Sequence, residues 1–416
     1  MKAKPAHPPG RRPWLLAAAL LLALAASSAH ADDDDDASPG APPGADAGGD
    51  GSRPGGFPGL GPTPGRIPVP SALQGLFGGA PPRPGVELVA AGLPPGAATA
   101  LRAAGFTVLS ERGGVARLRG PSGVGEAAAL ARLRAAAPGA LADRNHRFRL
   151  AADTADADAA PAAPTPACAA PPGLLVALVD TGVDARHPDL VGVIERQESF
   201  RAPGRRAART AHGTAIAVRL ATALPGARIA VLDAFHATAD GDAADAFDLA
   251  AALARTAEIG ARIANLSFVG PRNAVLDRLG AEAAAAGVLF VAAAGNDGPR
   301  APPLYPAAHP WALAIAAVDA NGRPWSRSAA GPHIAFSAIG VQVALPPPPG
   351  GRTRAWYDTS PTAPVVTAIL ARPPKPHPKD LVALARDAGP PGRDPVFGWG
   401  VVEPPSCDAP LRTAGD

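Results

Sequence analysis

LLVALVDTGVDARHPDL, residues 174–190, decides the fold. Every position from Leu174 to Val179 is apolar, with no polar residue at alternate places. A strand with one wet face alternates; a strand covered on both faces does not. The run therefore predicts an interior strand of a parallel sheet. It ends on Asp180, followed by a Thr-Gly turn. Similar runs recur at Arg228–Ala234, Arg262–Phe268, Val288–Ala294 and Trp311–Val318, with helical composition at Asp245–Ile259 and Asn273–Ala286. Strands alternating with helices predict an α/β fold, a mostly parallel sheet flanked by helices. In such sheets reactive side chains gather beyond the carboxyl ends of the strands. Asp180, Ser267 and Asn296 all fall at such ends.

Two further segments carry chemistry. His212 stands in AHGTAIA (residues 211–217) and Ser360 in DTSPTAPVVTAILA (residues 358–371), each at the start of a helix-like stretch. Taken alone, the Asp is a turn residue, the His a loop residue and the Ser an N-cap. Taken together they supply a hydroxyl, a base to accept its proton and a carboxylate to orient that base. Their chain order, Asp then His then Ser, is one of the known orders for this relay. GVLFVAAAGNDGP (residues 287–299) reads as a buried strand entering a turn that carries Asn296.

The wording around these residues resembles the subtilisin-like serine peptidase family: a strand ending in Asp-Thr-Gly with His-Pro-Asp-Leu after it, then His-Gly-Thr, then Thr-Ser-x-x-Ala-Pro. The resemblance covers roughly Leu174–Glu403. It implies Asp180, His212 and Ser360 as the catalytic residues and Asn296 as an oxyanion donor, with the Ser360 backbone N–H as the second donor. It implies that the stretch Leu266–Pro271 pairs with extended substrate, with Ser267 and Gly270 as substrate-binding residues. Val269 stands where the family often has Gly; a bulkier residue there either narrows the S1 entrance toward small side chains or has no effect on specificity. His187 reads as a turn residue. The main departure is Asp358, where the family reads Gly-Thr-Ser. Gly permits unusual backbone angles, and Asp would have to adopt them and would add negative charge, or would cap the nucleophile's helix.

Composition bounds the rest. The chain has 416 residues, 47 % apolar, with 52 Pro and 47 Gly and a net charge of only +3. No basic stripe is interleaved with aromatics, which argues against nucleic-acid binding. Lys2, Lys4, Arg11 and Arg12 precede an apolar run, Trp14–Ala26, and small residues follow to Ala31. This reads as a signal peptide over residues 1–31, shorter than a membrane span. Export to a periplasm or outside the cell is expected, without a permanent membrane anchor. The two cysteines, Cys168 and Cys407, flank the catalytic region. In an oxidising compartment one disulfide between them is the expectation, and two separate thiols the alternative.

Residues 32–84 are rich in Asp, Pro and Gly and have little to bury. Residues 85–150 read as β-α-β-β-α-β, a ferredoxin-like order, closed by the extended RNHRFRL segment. Standing before a subtilisin-like domain, this region resembles the family's inhibitory propeptide, whose tail lies along the cleft. Residues 151–172 read as a cleavable linker and 173–416 as the peptidase domain. The expected activity is a serine endopeptidase, made as a self-processing zymogen and acting as a monomer on polypeptides and on its own propeptide. The alternative is a catalytically weak or inactive peptide-binding relative, because of Asp358. No cofactor is expected; no EF-hand-type loop is present, and the resemblance leaves calcium open.

Overall fold

The computed structural model describes residues 84–151, 168–345, 354–373 and 377–403. The expected signal peptide, the Asp/Pro/Gly-rich segment, most of the linker and Cys407 lie outside the described residues. All described residues belong to one unit, Gly78–Asp416.

The first part runs β1 (Glu87–Ala91), α1 (Ala97–Ala103), β2 (Thr107–Arg112), β3 (Val115–Arg119), α2 (Glu126–Ala136) and β4 (Leu141–Arg144). Its antiparallel sheet has the order β2-β3-β1-β4. Gly113 and Gly114, both at positive φ, make the two-residue turn between β2 and β3, as tight hairpins require. The alternation along β1 sorts two faces. Leu88 and Ala90 join Leu101, Phe106, Leu118 and Leu133 in a small core. Val89 and Ala91 point the other way, into the main core, beside Phe247 and Ala250.

The RNHRFRL segment is the closing strand that the sequence predicts for this sheet. The closing strand is instead β4, and the segment's second half leaves the sheet. Arg147–Leu150 forms β5, which lies between β10 (Gly241–Asp245) and β12 (Phe268–Val269), antiparallel to both. With β9 (His236–Thr238) these make a second sheet, β12-β5-β10-β9.

The main sheet has nine strands, in the order β18-β19-β15-β14-β13-β11-β6-β8-β7. They are β6 (Leu175–Asp180), β7 (Ile194–Ser199), β8 (Arg228–Asp233), β11 (Ile263–Leu266), β13 (Leu289–Ala293), β14 (Ala312–Val318), β15 (Ile334–Ile339), β18 (Ala385–Arg386) and β19 (Val401–Val402). Every neighbouring pair is parallel except β18 with β19 at the edge. Helices α3 (Ala211–Ala223), α4 (Ala246–Glu258), α5 (Ala274–Ala285) and α6 (Thr362–Ala371) accompany the sheet, with the short α7 (Lys379–Val382) after them. Two apolar clusters, one against α4 and α5 and one against α3 and α6, account for the unbroken apolar wording of β6. A hairpin of β16 (Val341–Leu345) and β17 (Arg354–Tyr357) leads to Ser360.

Candidate active site

Asp180 is the last residue of β6 and is fully buried. His212 is the second residue of α3. These elements meet very closely: a Cβ on Gly213 would lie 2.5 Å from the Thr181 carbonyl oxygen. The His-Gly-Thr wording follows from that approach. The Gly213 N–H donates to Thr181 Oγ1 at 3.0 Å, and the Asp184 N–H donates to Thr214 Oγ1 at 2.9 Å. The helix start is thereby pinned to the strand end.

His212 Nδ1 lies 2.8 Å from Asp180 Oδ1, and its Nε2 lies 3.2 Å from Ser360 Oγ. The Thr181 N–H also donates to Asp180 Oδ1, at 2.7 Å. A carboxylate on Nδ1 fixes the tautomer that leaves Nε2 facing the hydroxyl. The Trp356 ring stacks on the imidazole, with centroids 5.2 Å apart and planes 26° apart. Burial alone would push the His212 pKa down. The Asp180 charge and hydrogen bond, with Asp358 and Asp242 behind them, oppose it, and the net pKa lies above the ordinary value. Sequence reasoning missed Trp356, because nothing local marks a ring on a hairpin as the neighbour of a distant histidine.

Asn296 follows β13 and is buried. Its Oδ1 accepts from the Thr359 N–H at 3.1 Å and from the Thr359 hydroxyl at 2.9 Å. That fixes the amide, so its Nδ2 faces outward and donates to the Ala151 carbonyl oxygen at 2.9 Å. Ser360 Oγ lies 2.5 Å from the same oxygen. A carbonyl held by a positioned amide beside a hydroxyl on a histidine is the arrangement that acyl transfer needs.

The chain delivers that carbonyl to itself. β5 pairs Leu150 with Phe268 and Arg149 with Val269 on one side, and Phe148 with Ala244 on the other. The Ala151 N–H donates to the Ser267 carbonyl at 3.1 Å. This is the geometry of added-strand pairing. The Ser267 hydroxyl also donates to the Ser360 carbonyl, at 3.2 Å. The Ala151 side chain clusters with Val269 and Ala293, and Leu304 packs against them. The Phe148 ring sits edge-on to Phe268, 6.1 Å between centroids, over Gly270. A Cβ on Gly270 would lie 2.3 Å from that ring, so the position admits the ring only as Gly.

The expected residues His212, Ser360, Asn296, Ser267 and Gly270 therefore gather around one peptide segment, with Asp180 behind His212. Asp358 departs from one expectation and meets the other: its backbone angles are ordinary, and its carboxylate turns onto the head of the nucleophile's helix. Among the described residues the only non-glycine at positive φ is Gln342, so Asp358 has ordinary backbone angles. Its fully buried carboxylate accepts the Ser360 N–H at 2.5 Å, and the donor expected for the oxyanion is engaged there. Among the described residues no group of three or more His, Cys, Asp or Glu is placed to hold a metal ion.

An Asp–His–Ser relay at the carboxyl ends of a parallel sheet's interior strands, with an Asn amide beside it, defines a subtilisin-like class of serine peptidase. Residues 172–400 match the subtilase family, peptidase family S8, and the chain belongs to that family. It is 27 % identical to subtilisin E of Bacillus subtilis (strain 168) over 231 residues, 51 % of this chain and 58 % of that one. It is 31 % identical to the M-protease of Shouchella clausii (strain KSM-K16) over 211 residues, 48 % and 53 % of the two chains. The matches thus span between half and two thirds of these relatives. In fold the chain is similar to fervidolysin of Fervidobacterium pennivorans, a keratinolytic enzyme related to subtilisin. The TM-score is 0.65 at 22 % identity, over 80 % of this chain and 62 % of that one.

Proposed function

We propose that the protein is an exported serine endopeptidase made as a zymogen that cleaves itself between Ala151 and Ala152. The observation that carries this reading is the Ala151 carbonyl oxygen, 2.9 Å from Asn296 Nδ2 and 2.5 Å from Ser360 Oγ. Ser360 Oγ attacks the Ala151 carbonyl carbon, and its proton passes to His212 Nε2. The Ala151–Ala152 C–N bond then breaks, and His212 gives the proton to the leaving amine. Water, deprotonated by His212, hydrolyses the resulting ester. Asp180 holds the imidazole and stabilises its charged form.

The first part of the chain acts in this reading as propeptide. Asn145 Oδ1 accepts the Phe247 N–H at 3.0 Å, and Asp143 Oδ2 accepts the Ala274 N–H at 2.8 Å. It thus caps the starts of α4 and α5, whose first N–H groups have no partner within the helix. After cleavage the Arg147–Ala151 strand remains a product-like occupant of the cleft. Substrates in trans then follow its pattern, with a small residue at P1, as Ala151, and an aromatic residue at P4, as Phe148. A disulfide between Cys168 and Cys407 belongs to the same proposal for an exported protein.

The test is self-cleavage of the chain from Asp32 onward, beside Ser360→Ala. The parent is expected to yield a new N-terminus at Ala152 by mass spectrometry, and the variant to stay whole. A parent left intact and unlabelled by a fluorophosphonate would remove the reading. The weakly catalytic, peptide-binding alternative has one observation in its favour, the Asp358 contact to Ser360, and that outcome would promote it.

A further inference from the structure

The nucleophile's own backbone donor is engaged by a carboxylate. Asp358 Oδ1 accepts the Ser360 N–H at 2.5 Å, two residues along the chain. The contact is enclosed, since Asp358, Thr359 and Ser360 are all fully buried. It is also locked from both sides. The Asp358 N–H donates to the Gly340 carbonyl at 3.1 Å. The Thr359 side chain bridges Gly295 and Asn296, accepting from one and donating to the other. A Cβ on Gly340 would come within 2.4 Å of the Asp358 carbonyl oxygen, so this loop has no slack toward β16.

The Ala151 carbonyl oxygen meets the Asn296 amide and the Ser360 hydroxyl. The hydroxyl is consumed in the reaction: its oxygen becomes the new ester oxygen and its proton leaves for His212. When the carbonyl becomes an oxyanion, the Asn296 amide is the fixed donor that remains. The neighbouring backbone N–H, at the head of α6, points its hydrogen at Asp358 Oδ1 instead. A carboxylate is a stronger acceptor than a ground-state carbonyl, so it holds that hydrogen until the oxyanion has largely formed. The carboxylate charge, in a water-poor pocket, also opposes a second negative charge nearby.

We infer that Asp358 is a positioning residue that brakes acylation, holding the Ser360 N–H away from the carbonyl that Ser360 attacks. This rests on Ser360 being the nucleophile for the Ala151–Ala152 bond. The brake acts on the rate of bond making and leaves the strand pairing of Arg147–Ala151 untouched. A peptidase so built carries its own peptide in the cleft for longer before cutting it.

Two substitutions separate capture of the N–H from charge. Asp358→Ala cannot accept the hydrogen, and the ordinary backbone angles at this position suit alanine. Asp358→Asn keeps an acceptor oxygen in the same place but loses the charge. The readout is the first-order rate of cleavage at Ala151–Ala152 in the full chain, with Ser360→Ala alongside. One positioned oxyanion donor is worth on the order of 10²–10³ in turnover. Asp358→Ala is therefore expected to cut at least about 10-fold faster than the parent. Asp358→Asn, a neutral and weaker acceptor, is expected to cut at a rate between those of the parent and Asp358→Ala at a pH where His212 is neutral. Asp358→Gly serves as a second variant lacking the acceptor should the alanine form not fold. An Asp358→Ala chain no faster than the parent, with Ser360→Ala silent, overturns the brake alone. An Asp358→Asn chain as fast as Asp358→Ala overturns capture as its cause. Cutting of Ser360→Ala at the parent's rate removes the nucleophile and the brake together.

Discussion

His212 sits under opposing influences. Its ring is buried, which favours the neutral base, while three carboxylates at Asp180, Asp358 and Asp242 favour the protonated form. The carboxylates win, and the pKa lies above the ordinary 6.5. A general base works only when neutral, so the rate must fall as pH drops through that raised value. The acid limb of self-cleavage is accordingly expected above pH 6.5 in the parent. Because Asp358 is one of the three charges, Asp358→Asn should move the limb to lower pH, and it should raise the plateau rate part of the way toward that of Asp358→Ala. Cleavage rates across a pH series check both. A parent limb at or below 6.5, or a limb that Asp358→Asn does not move, would contradict the charge assignment. The relay was legible in the sequence because each member sits in wording that only close packing explains, such as Gly213 against Thr181. The role of Asp358 was legible only as a choice between unusual backbone angles with added charge and a cap on the nucleophile's helix. Whether a carboxylate two residues before an N–H turns onto it depends on a loop fixed by Gly340 and Asn296, both far away in sequence.

At the scale of elements, β12 sets the shape of the cleft. Val269 lines the place filled by the Ala151 methyl group, with Ala293 and Leu304 completing the walls. A Cβ on Gly295 would lie 2.7 Å from Leu304 Cδ1 and 3.4 Å from Val269 Cγ1, so the space is already closed there. The processed enzyme should therefore cleave peptides with Ala at P1 and reject those with Phe. Val269→Gly is expected to raise kcat/KM for a Phe P1 peptide by at least about 10- to 100-fold, the usual worth of even one methylene in an apolar pocket, and to change the Ala peptide little. Paired nitroanilide peptides differing only at P1 measure this. Equal handling of both peptides by the parent would show that Val269 sets no limit. Five interior strands, β6, β8, β11, β13 and β14, were readable to within a residue or two, since an unbroken run such as Leu174–Val179 has few other structural homes, whereas β15, also interior, was not singled out. β5 was misplaced because Arg-Phe-Arg-Leu alternates like any edge strand, and its partners lie roughly 100 residues further on. β10, reading Gly-Asp-Ala-Ala-Asp, has little strand propensity and is held by pairing.

At the scale of the whole molecule, the two parts of the chain meet over a charged, buried patch. Arg117 of β3 approaches Asp245 at 3.8 Å, and Arg205 reaches the same carboxylate at 2.6 Å. Beside them Asp248 on α4 is fully buried, and neither of its oxygens has a hydrogen-bond partner among the described residues. Burial raises its pKa most, and the Asp245 charge adds to that. Arg205, Arg117 and Arg112 pull the other way, and the result is about 7 against an ordinary 3.8. The folded chain thus holds a proton here that the unfolded chain releases. Between pH 3.8 and about 7 the folded state binds more protons, so stability falls as pH rises through this window and stays low above it. One pH unit of such a gap is about 1.4 kcal/mol, so the loss reaches up to about 4 kcal/mol by pH 8. Asp248→Asn, which is neutral at every pH, should recover much of it. In a Ser360→Ala background that keeps the two parts joined, this variant is expected to melt higher than its parent at pH 8. The gain should shrink steadily toward pH 4, where the parent's carboxyl is largely protonated when folded and half protonated when unfolded. Thermal unfolding at both pH values decides the matter. A gain of equal size at pH 4 and pH 8 would mean that shape rather than ionisation is responsible, and a loss at pH 8 would mean that the three arginines already satisfy the carboxylate.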